Sequence, residues 1–145
     1  MAVVRRSSVL PIPASVAFEL AQKVELFEHV VAPWLRIRGV RMPERIEAGA
    51  SGSARLWWLG ALPSWRHHLA VVHAGDGEIR TNEHGGPVRT WNHHLRFEPL
   101  DASSCRYTDE IELEDGLRGL PTRLFARLMF RHRHRRWRAL ARLLG

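Results

Sequence analysis

The fold of this 145-residue chain is indicated most clearly by the stretch TWNHHLRFEPLDASSCRYTDEIEL, residues 90–113. Its two halves, Thr90–Phe97 and Cys105–Leu113, alternate between apolar and polar side chains and flank a turn-forming sequence at Asp101. Alternation with a period of two predicts a β-strand with one buried face. The stretch therefore predicts an antiparallel hairpin within a sheet that is covered on one side.

Two polar residues, His93 and Asp109, fall on the predicted inner faces of this hairpin. A turn centred on Asp101 pairs His93 with Asp109, Leu95 with Tyr107, and Trp91 with Ile111. A carboxylate beside an imidazole fixes the ring's tautomer and suits it to general acid–base catalysis. Alternatively, the two groups only satisfy each other's hydrogen bonds inside the core. The sequence leaves both interpretations open, with His93 and Asp109 as the candidate catalytic pair.

The segments on either side of the hairpin predict the rest of the fold. Val3–Leu10 predicts a first strand; two short helices follow, one capped by Ser15 and one over Val24–Val31. Further strands are predicted over Leu35–Met42, Gly52–Leu59, Trp65–His73 and Glu78–Asn82. After Pro121 the period returns to 3.6 residues and holds to Leu144, which predicts a long C-terminal helix. This order predicts an α+β fold, in which a curved seven-stranded antiparallel sheet wraps around the last helix and leaves an internal cavity.

The C-terminal helix is predicted to be amphipathic. At 100° per residue its apolar face carries Phe125, Leu128, Met129, Leu140, Leu143 and Leu144. His132 and Arg136 fall within this face, and Arg133 falls towards its edge. A buried cation needs a partner. His132 and Arg136 are therefore predicted to anchor an anionic or carbonyl group of a ligand. Alternatively, the cations of this face form internal salt bridges or reach past the sheet edge.

Charge is distributed unevenly along the chain. The net charge is +7, yet residues 1–115 hold thirteen basic and fifteen acidic residues, whereas residues 116–145 hold nine arginines and no acid. Such a segment can bind nucleic acid or an anionic membrane, or it can be a solvated helix face. Because no nucleic-acid-binding motif accompanies it, we expect no nucleic-acid partner.

Several classes of protein are excluded by what the sequence lacks. It has neither a secretory signal pattern nor an apolar run long enough to span a bilayer, so we expect a single cytoplasmic domain over residues 1–145. The single cysteine, Cys105, excludes an intrachain disulfide and a cysteine-based zinc site. No pair among the nine histidines has chelating spacing, and no phosphate-binding glycine loop occurs, so we expect neither a metal nor another cofactor.

Several motifs resemble those of the SRPBCC superfamily, which comprises START domains and Bet v 1-like proteins of the helix-grip fold. They are the entry PIPAS at residues 11–15, GPVRTWNH at 86–93, RFEP at 96–99, Thr108-Asp109, and FRHR at 130–133. These motifs look like those of the bacterial polyketide cyclase/dehydrase-like group. Members of that group typically have a second histidine two residues beyond the one matched by His93, where this chain has Leu95.

The resemblance implies a hydrophobic cavity between the sheet and the C-terminal helix. Its expected ligand-binding residues, beside His93 and Asp109, are Trp91, Leu95, Tyr107, Phe125, Leu128, Met129, His132 and Arg136. The leading hypothesis is a monomeric or homodimeric protein that binds a lipid, a polyketide or another hydrophobic small molecule. The alternative is a cyclase or dehydratase that uses His93 and Asp109 as an acid–base pair, with Tyr107 or Arg136 polarising a carbonyl group.

Overall fold

Seven strands and three helices form the part of the chain that the structure, a computed structural model, describes: residues 2–41, 45–59, 62–86, 88–114 and 119–145. Their order is β1 (Ala2–Leu10), α1 (Ala14–Ala21), α2 (Val24–Val31), β2 (Leu35–Arg41), β3 (Ser51–Trp58), β4 (Leu62–Gly75), β5 (Glu78–Gly85), β6 (Val88–Pro99), β7 (Cys105–Glu114) and α3 (Gly119–Leu144). The predicted fold class and element order are confirmed. The predicted end of β2 at Met42 lies outside the described residues.

The strands form one antiparallel sheet in the order β1-β7-β6-β5-β4-β3-β2. The register shifts in the pairs β2–β3, β3–β4, β4–β5 and β5–β6, whereas the pairs β1–β7 and β6–β7 run without a shift. A bulge bends its strand and increases the local twist. The sheet therefore curls from β6 towards β2, and its concave inner face encloses the core.

Helices α1 and α2 connect the two edges of the sheet. Helix α1 follows Pro13 and has no side-chain cap, so the prediction that Ser15 caps it is wrong: Ser15 lies within the first turn. Proline fixes φ near the helical value and needs no partner for a missing N–H, which makes it a suitable residue at a helix start. Helix α2 has the predicted bounds and buries Leu26, Val30 and Val31, which share one helix face.

The register of the β6–β7 hairpin differs from the prediction by two residues. His93 lies opposite Ile111, and Leu95 lies opposite Asp109. The turn is centred one residue later than predicted, because the backbone N–H of Asp101 donates to the Ser104 carbonyl and the Asp101 carboxylate accepts from the Ser103 N–H. A shift of two preserves the strand alternation, so His93 and Asp109 both remain on the inner face.

The buried face of α3 also differs from the prediction. It carries Ala126, Met129, Phe130, Arg133, His134, Trp137 and Ala141. The predicted face is correct only in part: Met129 is buried and Phe125 and Leu140 pack against the core, but Leu128 is 40% exposed, Leu143 84% and Leu144 54%. Spacings of three and four residues place Phe130, Arg133 and Trp137 on one side of the helix, and this side packs against β1 and the inner sheet. Arg133 and His134, rather than His132 and Arg136, therefore enter the interior.

Aromatic stacking holds α3 against the hairpin. The Tyr107 ring stacks on Phe97 with centroids 5.1 Å apart and on His134 with centroids 4.4 Å apart. Trp137 contacts both Phe97 and Tyr107 and is among the largest fully buried side chains. Such aromatic pairs add about 0.5–1.5 kcal/mol each beyond the area they bury, so this cluster defines how α3 is rotated on the sheet.

The opposite face of α3 is exposed and carries both leucines and arginines. Leu120, Leu124 and Leu128 are exposed, and so are Arg127 and Arg131. No helix within the described residues is both long enough and apolar enough to cross a membrane.

We expect Gly77→Ala to lower the free energy of unfolding by about 2 kcal/mol or more. Asp76 and Gly77 both have positive φ in the two-residue turn between β4 and β5, and a Cβ at Gly77 would lie 2.8 Å from the Phe97 carbonyl oxygen. Urea unfolding measures the change. Gly75→Ala is the matched control, because its Cβ would meet only the His73 ring at 3.8 Å. Equal losses in both variants would contradict this account.

Candidate functional site

Two adjoining chambers lie between the inner face of the sheet and the helices. The first has a volume of about 80 Å³, and residues that line it alone include Ala21, Val24, Ile46, Ala54, Ile79 and Leu95. The second has a volume of about 60 Å³, and it alone is lined by Val31, Leu35, Trp65, Gly85, Trp91, Phe125 and Met129. The residues that line both are Phe27, Leu56, His67, Glu83, His93 and Arg133. The chambers are thus apolar, and their polar lining is concentrated where they meet.

Glu83 is the centre of the polar side chains at this junction. It is buried on β5, where it accepts a hydrogen bond from His67 Nε2 at 2.7 Å and one from the Thr81 hydroxyl at 2.5 Å. The Trp65 indole N–H donates to His67 Nδ1 at 3.2 Å. An indole N–H can only donate, so the His67 proton lies on Nε2 and points at Glu83.

Asp109 lies directly behind His93 and is fully buried. One oxygen accepts from His93 Nε2 at 2.6 Å, and the other accepts from the Tyr107 hydroxyl and from His134 Nε2, the latter at 3.1 Å. Arg133 Nη2 lies 3.6 Å from the first oxygen. An ionised carboxylate only accepts, so both histidines carry a proton on Nε2. His93 Nδ1 is then left facing Glu83 Oε1 at 3.9 Å, too far for a hydrogen bond.

Both carboxylates are ionised despite their burial. Burial acts to raise the pKa of Asp109, but the Arg133 charge and the His93 contact outweigh it and hold this pKa well below its usual value. At Glu83 burial also acts to raise the pKa, but this pKa is lowered overall, and the hydrogen bond from His67 is the largest contribution that lowers it. Burial and the neighbouring Asp109 charge raise the pKa of Tyr107, which keeps its hydroxyl a donor.

Arg133 is buried with an unsatisfied hydrogen-bond donor. Its guanidinium lies over the rings of Phe27 and Phe130, 5.7 and 5.8 Å from their centroids. Its Nε–H has no hydrogen-bond partner among the described residues. A buried donor without a partner costs about 1–3 kcal/mol, so a group that accepts from Arg133 within the chambers would recover this free energy.

The structure brings some of the sequence-predicted site residues into the chambers. His93 lines both, Leu95 lines the first, and Trp91, Phe125 and Met129 line the second. Asp109 and Tyr107 are fully buried behind this wall and line neither chamber, but they contact each other and Asp109 contacts His93.

The other three predicted site residues lie outside the chambers and do not contact Asp109. Leu128 faces solvent. His132 Nε2 bonds the Ala32 carbonyl at 2.6 Å, and its ring stacks on Trp34. Arg136 Nε donates to the His29 carbonyl at 3.2 Å, at the end of α2. Because the buried face of α3 is rotated from the predicted one, His132 and Arg136 hold α3 to the region around α2.

Sequence reasoning misses His67, Glu83 and Arg133. The prediction ends β5 at Asn82, although Ile79, Thr81 and Glu83 continue the alternation and are all buried. Arg133 could have been found from its spacing to Phe130 and Trp137. Within the described residues, no three His, Cys, Asp or Glu side chains form a group that could hold a metal ion.

We expect Asp109→Asn to lower the free energy of unfolding by about 3–5 kcal/mol at pH 7, because it leaves Arg133 buried without its charge partner. The folded-state pKa of Asp109 lies below its ordinary value of 3.8. Its ionisation therefore stabilises the protein above about pH 4, and this stabilisation is lost as pH falls towards the folded-state pKa.

Denaturant unfolding between pH 7 and pH 3 measures this effect. The difference between the wild type and Asp109→Asn should narrow below about pH 4. Glu112→Gln, an exposed change on the same strand, is the control and should have little effect. A difference that stays constant over the whole range would contradict the assigned ionisation.

Three solved structures of low sequence identity share this fold. A START superfamily protein from Mycobacterium smegmatis has a TM-score of 0.75 at 14% identity, with 99% of each chain covered. A protein from Chromobacterium violaceum has a TM-score of 0.80 at 11% identity, covering 97% of this chain and 98% of that one. Norcoclaurine synthase from Thalictrum flavum, in complex with dopamine and hydroxybenzaldehyde, has a TM-score of 0.67 at 8% identity. This match covers 96% of this chain and 85% of that one.

These likenesses confirm the predicted helix-grip fold. No curated protein is a significant match to the sequence. Residues 8–141 match the family described as a domain of unknown function, DUF8410. Since this match spans most of the chain, the protein belongs to the DUF8410 family and has the fold of START superfamily proteins.

Proposed function

We propose that the protein binds a small apolar molecule that carries one hydrogen-bond acceptor. The observation that carries this proposal is the buried Arg133 Nε–H, which lacks a partner among the described residues and belongs to a side chain that lines both apolar chambers. The apolar body of the ligand fills the chambers, and its acceptor takes the Arg133 hydrogen bond. Ligand sites commonly combine an apolar lining with a few polar groups of this kind.

The size of the chambers limits the ligand. A volume of roughly 10–15 Å³ is needed for each enclosed water-sized group, so chambers of about 80 and 60 Å³ hold roughly ten such groups together. A compound with about ten non-hydrogen atoms therefore suits the site better than a long-chain lipid. The complex of norcoclaurine synthase with dopamine and hydroxybenzaldehyde supports a small ligand for this fold.

Filling the first chamber should weaken ligand binding. Ala54 is buried and lines this chamber, so the ring of Ala54→Phe takes the space of the ligand. We expect this variant to bind nonan-5-one, which has ten non-hydrogen atoms, at least tenfold more weakly than the wild type in calorimetric titration. The control, Ala139→Phe, adds the same ring at an exposed position of α3 and should bind normally. No detectable binding to the wild type would overturn the proposal.

Replacing the Arg133 guanidinium should lower the affinity only for ligands that carry a hydrogen-bond acceptor. Arg133→Lys keeps the charge beside Asp109 but removes the Nε–H. We expect about a tenfold loss of nonan-5-one affinity, because a hydrogen bond to a charged donor contributes about 1.5–3 kcal/mol. Butylbenzene has ten non-hydrogen atoms and no carbonyl, so its affinity should change by less than about twofold. Equal losses for both probes would show that Arg133 does not recognise the acceptor.

A second function, acid–base catalysis, is favoured by the position of His93. Asp109 binds its Nε2, which leaves Nδ1 as the ring nitrogen that can act as a base, and His93 lines both chambers. With a ketone carbonyl held by Arg133, this Nδ1 would take a proton from the α-carbon, and the guanidinium would stabilise the resulting enolate. Aldol-type cyclisation begins with such a step, and so does dehydration of a β-hydroxy ketone through its enolate.

Exchange of the α-hydrogens of nonan-5-one in D₂O tests this second function. If it is correct, the wild type accelerates exchange over buffer, and His93→Gln lowers the rate by roughly 10²–10⁴ while its affinity for the ketone changes only a few-fold. Proton NMR measures the rate. A wild-type rate equal to that of buffer would leave the protein as a binding protein only.

A further inference from the structure

We infer that the preferred ligand carries a neutral acceptor in the middle of its length, between two apolar arms. This inference rests on the proposed function and specifies the class of compound that the same site takes. It follows from where the polar side chains lie relative to the two chambers, and from which of their donors are already engaged.

The polar side chains lie where the chambers meet, not at the far end of either one. His67, Glu83, His93 and Arg133 each line both chambers. The walls that belong to one chamber alone are predominantly apolar, such as Val24 and Ile46 in the first and Phe125 and Met129 in the second. A ligand that fills both chambers therefore places its central atoms, and not its ends, beside the polar groups.

Several other donors of the chamber lining already have partners. In the first chamber the Thr81 hydroxyl donates to Glu83, and in the second the Trp65 indole donates to His67. His67 Nε2 donates to Glu83, and His93 Nε2 donates to Asp109. Within the described residues Arg133 Nε–H is the buried donor of the chamber lining that remains without a partner. A polar group at the end of a ligand would be buried against apolar walls, which is unfavourable.

The charges of the cluster favour a neutral acceptor over a carboxylate. Asp109 and Glu83 are two buried carboxylates, and Arg133 is the guanidinium beside them. These two carboxylates outnumber the one guanidinium. A ligand carboxylate would add a third negative charge near Glu83, and like charges at short range disfavour each other. A ketone, ester or amide accepts the same hydrogen bond without this repulsion.

Isomers that differ only in the position of the carbonyl test this inference. Nonan-5-one has two butyl arms, whereas nonan-2-one has one methyl and one heptyl arm. In calorimetric titrations of the wild-type protein, we expect nonan-5-one to bind at least tenfold more tightly, because nonan-2-one cannot both fill the two chambers and reach Arg133. Octanoate, with the same number of non-hydrogen atoms and a terminal charge, should bind more weakly than either ketone.

Variants that narrow one chamber at a time extend this test. Val31→Leu narrows the second chamber and Ala54→Phe fills the first. Both substitutions should lower the affinity for nonan-5-one. Val31→Leu should affect nonan-2-one by less than about twofold, since its heptyl arm lies in the larger chamber and only its methyl group enters the smaller one. Thermal unfolding of each variant establishes that it is folded, and the isomer comparison on the wild type does not depend on the variants.

Failure of this inference gives a different result from failure of the proposed function. If the two isomers bind equally, or if octanoate binds most tightly, the inference is wrong and the proposed function stands. If none of the three compounds binds the wild type, both the inference and the proposed function are overturned.

Discussion

The carboxylate of Asp109 is the constraint on which the interior of this protein depends. It is fully buried, and β6, β7 and α3 each contribute a partner: His93, Tyr107, and the pair Arg133 and His134. A buried charge without partners is very unfavourable. The hydrogen bonds to Asp109 therefore allow little freedom in how α3 rotates or slides on the sheet. The aromatic stack of Tyr107 with Phe97 and His134 selects the same arrangement by packing.

The same interactions prepare the chamber wall. By binding His93 through Nε2, Asp109 leaves Nδ1 of that ring on the side of Glu83. By pairing with Arg133 through Nη2, it holds a guanidinium at the junction of the two chambers, and the Nε–H of this group has no partner in the described part of the chain. The charge network that stabilises the position of α3 thus also positions His93, which can act as a base, and Arg133, which can donate a hydrogen bond. Stability and the proposed binding depend on the same residues, so we expect substitutions at Asp109 to alter both.

The periodicity of the sequence predicts much of this arrangement. It fails where small differences in free energy decide between alternative registers or buried faces. The parity of β6 and β7 predicts correctly that His93 and Asp109 face inward, because a one-residue slip would expose the apolar set of one strand. Which residues of β6 and β7 lie opposite each other depends on the hydrogen bonds of the turn at Ser103 and Ser104. The alternation of apolar and polar residues does not determine these bonds. The buried face of α3 depends on which side chains fill the space against Tyr107. Trp137 does so, and the terminal leucines do not.

The polar residues of the chamber are hardest to predict because each is unfavourable by itself. An inner Glu83 on β5 or a buried Arg133 on α3 contradicts the usual preference of charged side chains for the surface. Their burial becomes favourable only through partners that are distant in sequence: His67 for Glu83 and Asp109 for Arg133. Most of these partners satisfy one another completely, as a core requires. The Nε–H of Arg133 is an exception among the described residues, and it occurs beside the two chambers. A donor left unsatisfied next to an apolar chamber destabilises the protein, and an acceptor bound there would recover this cost.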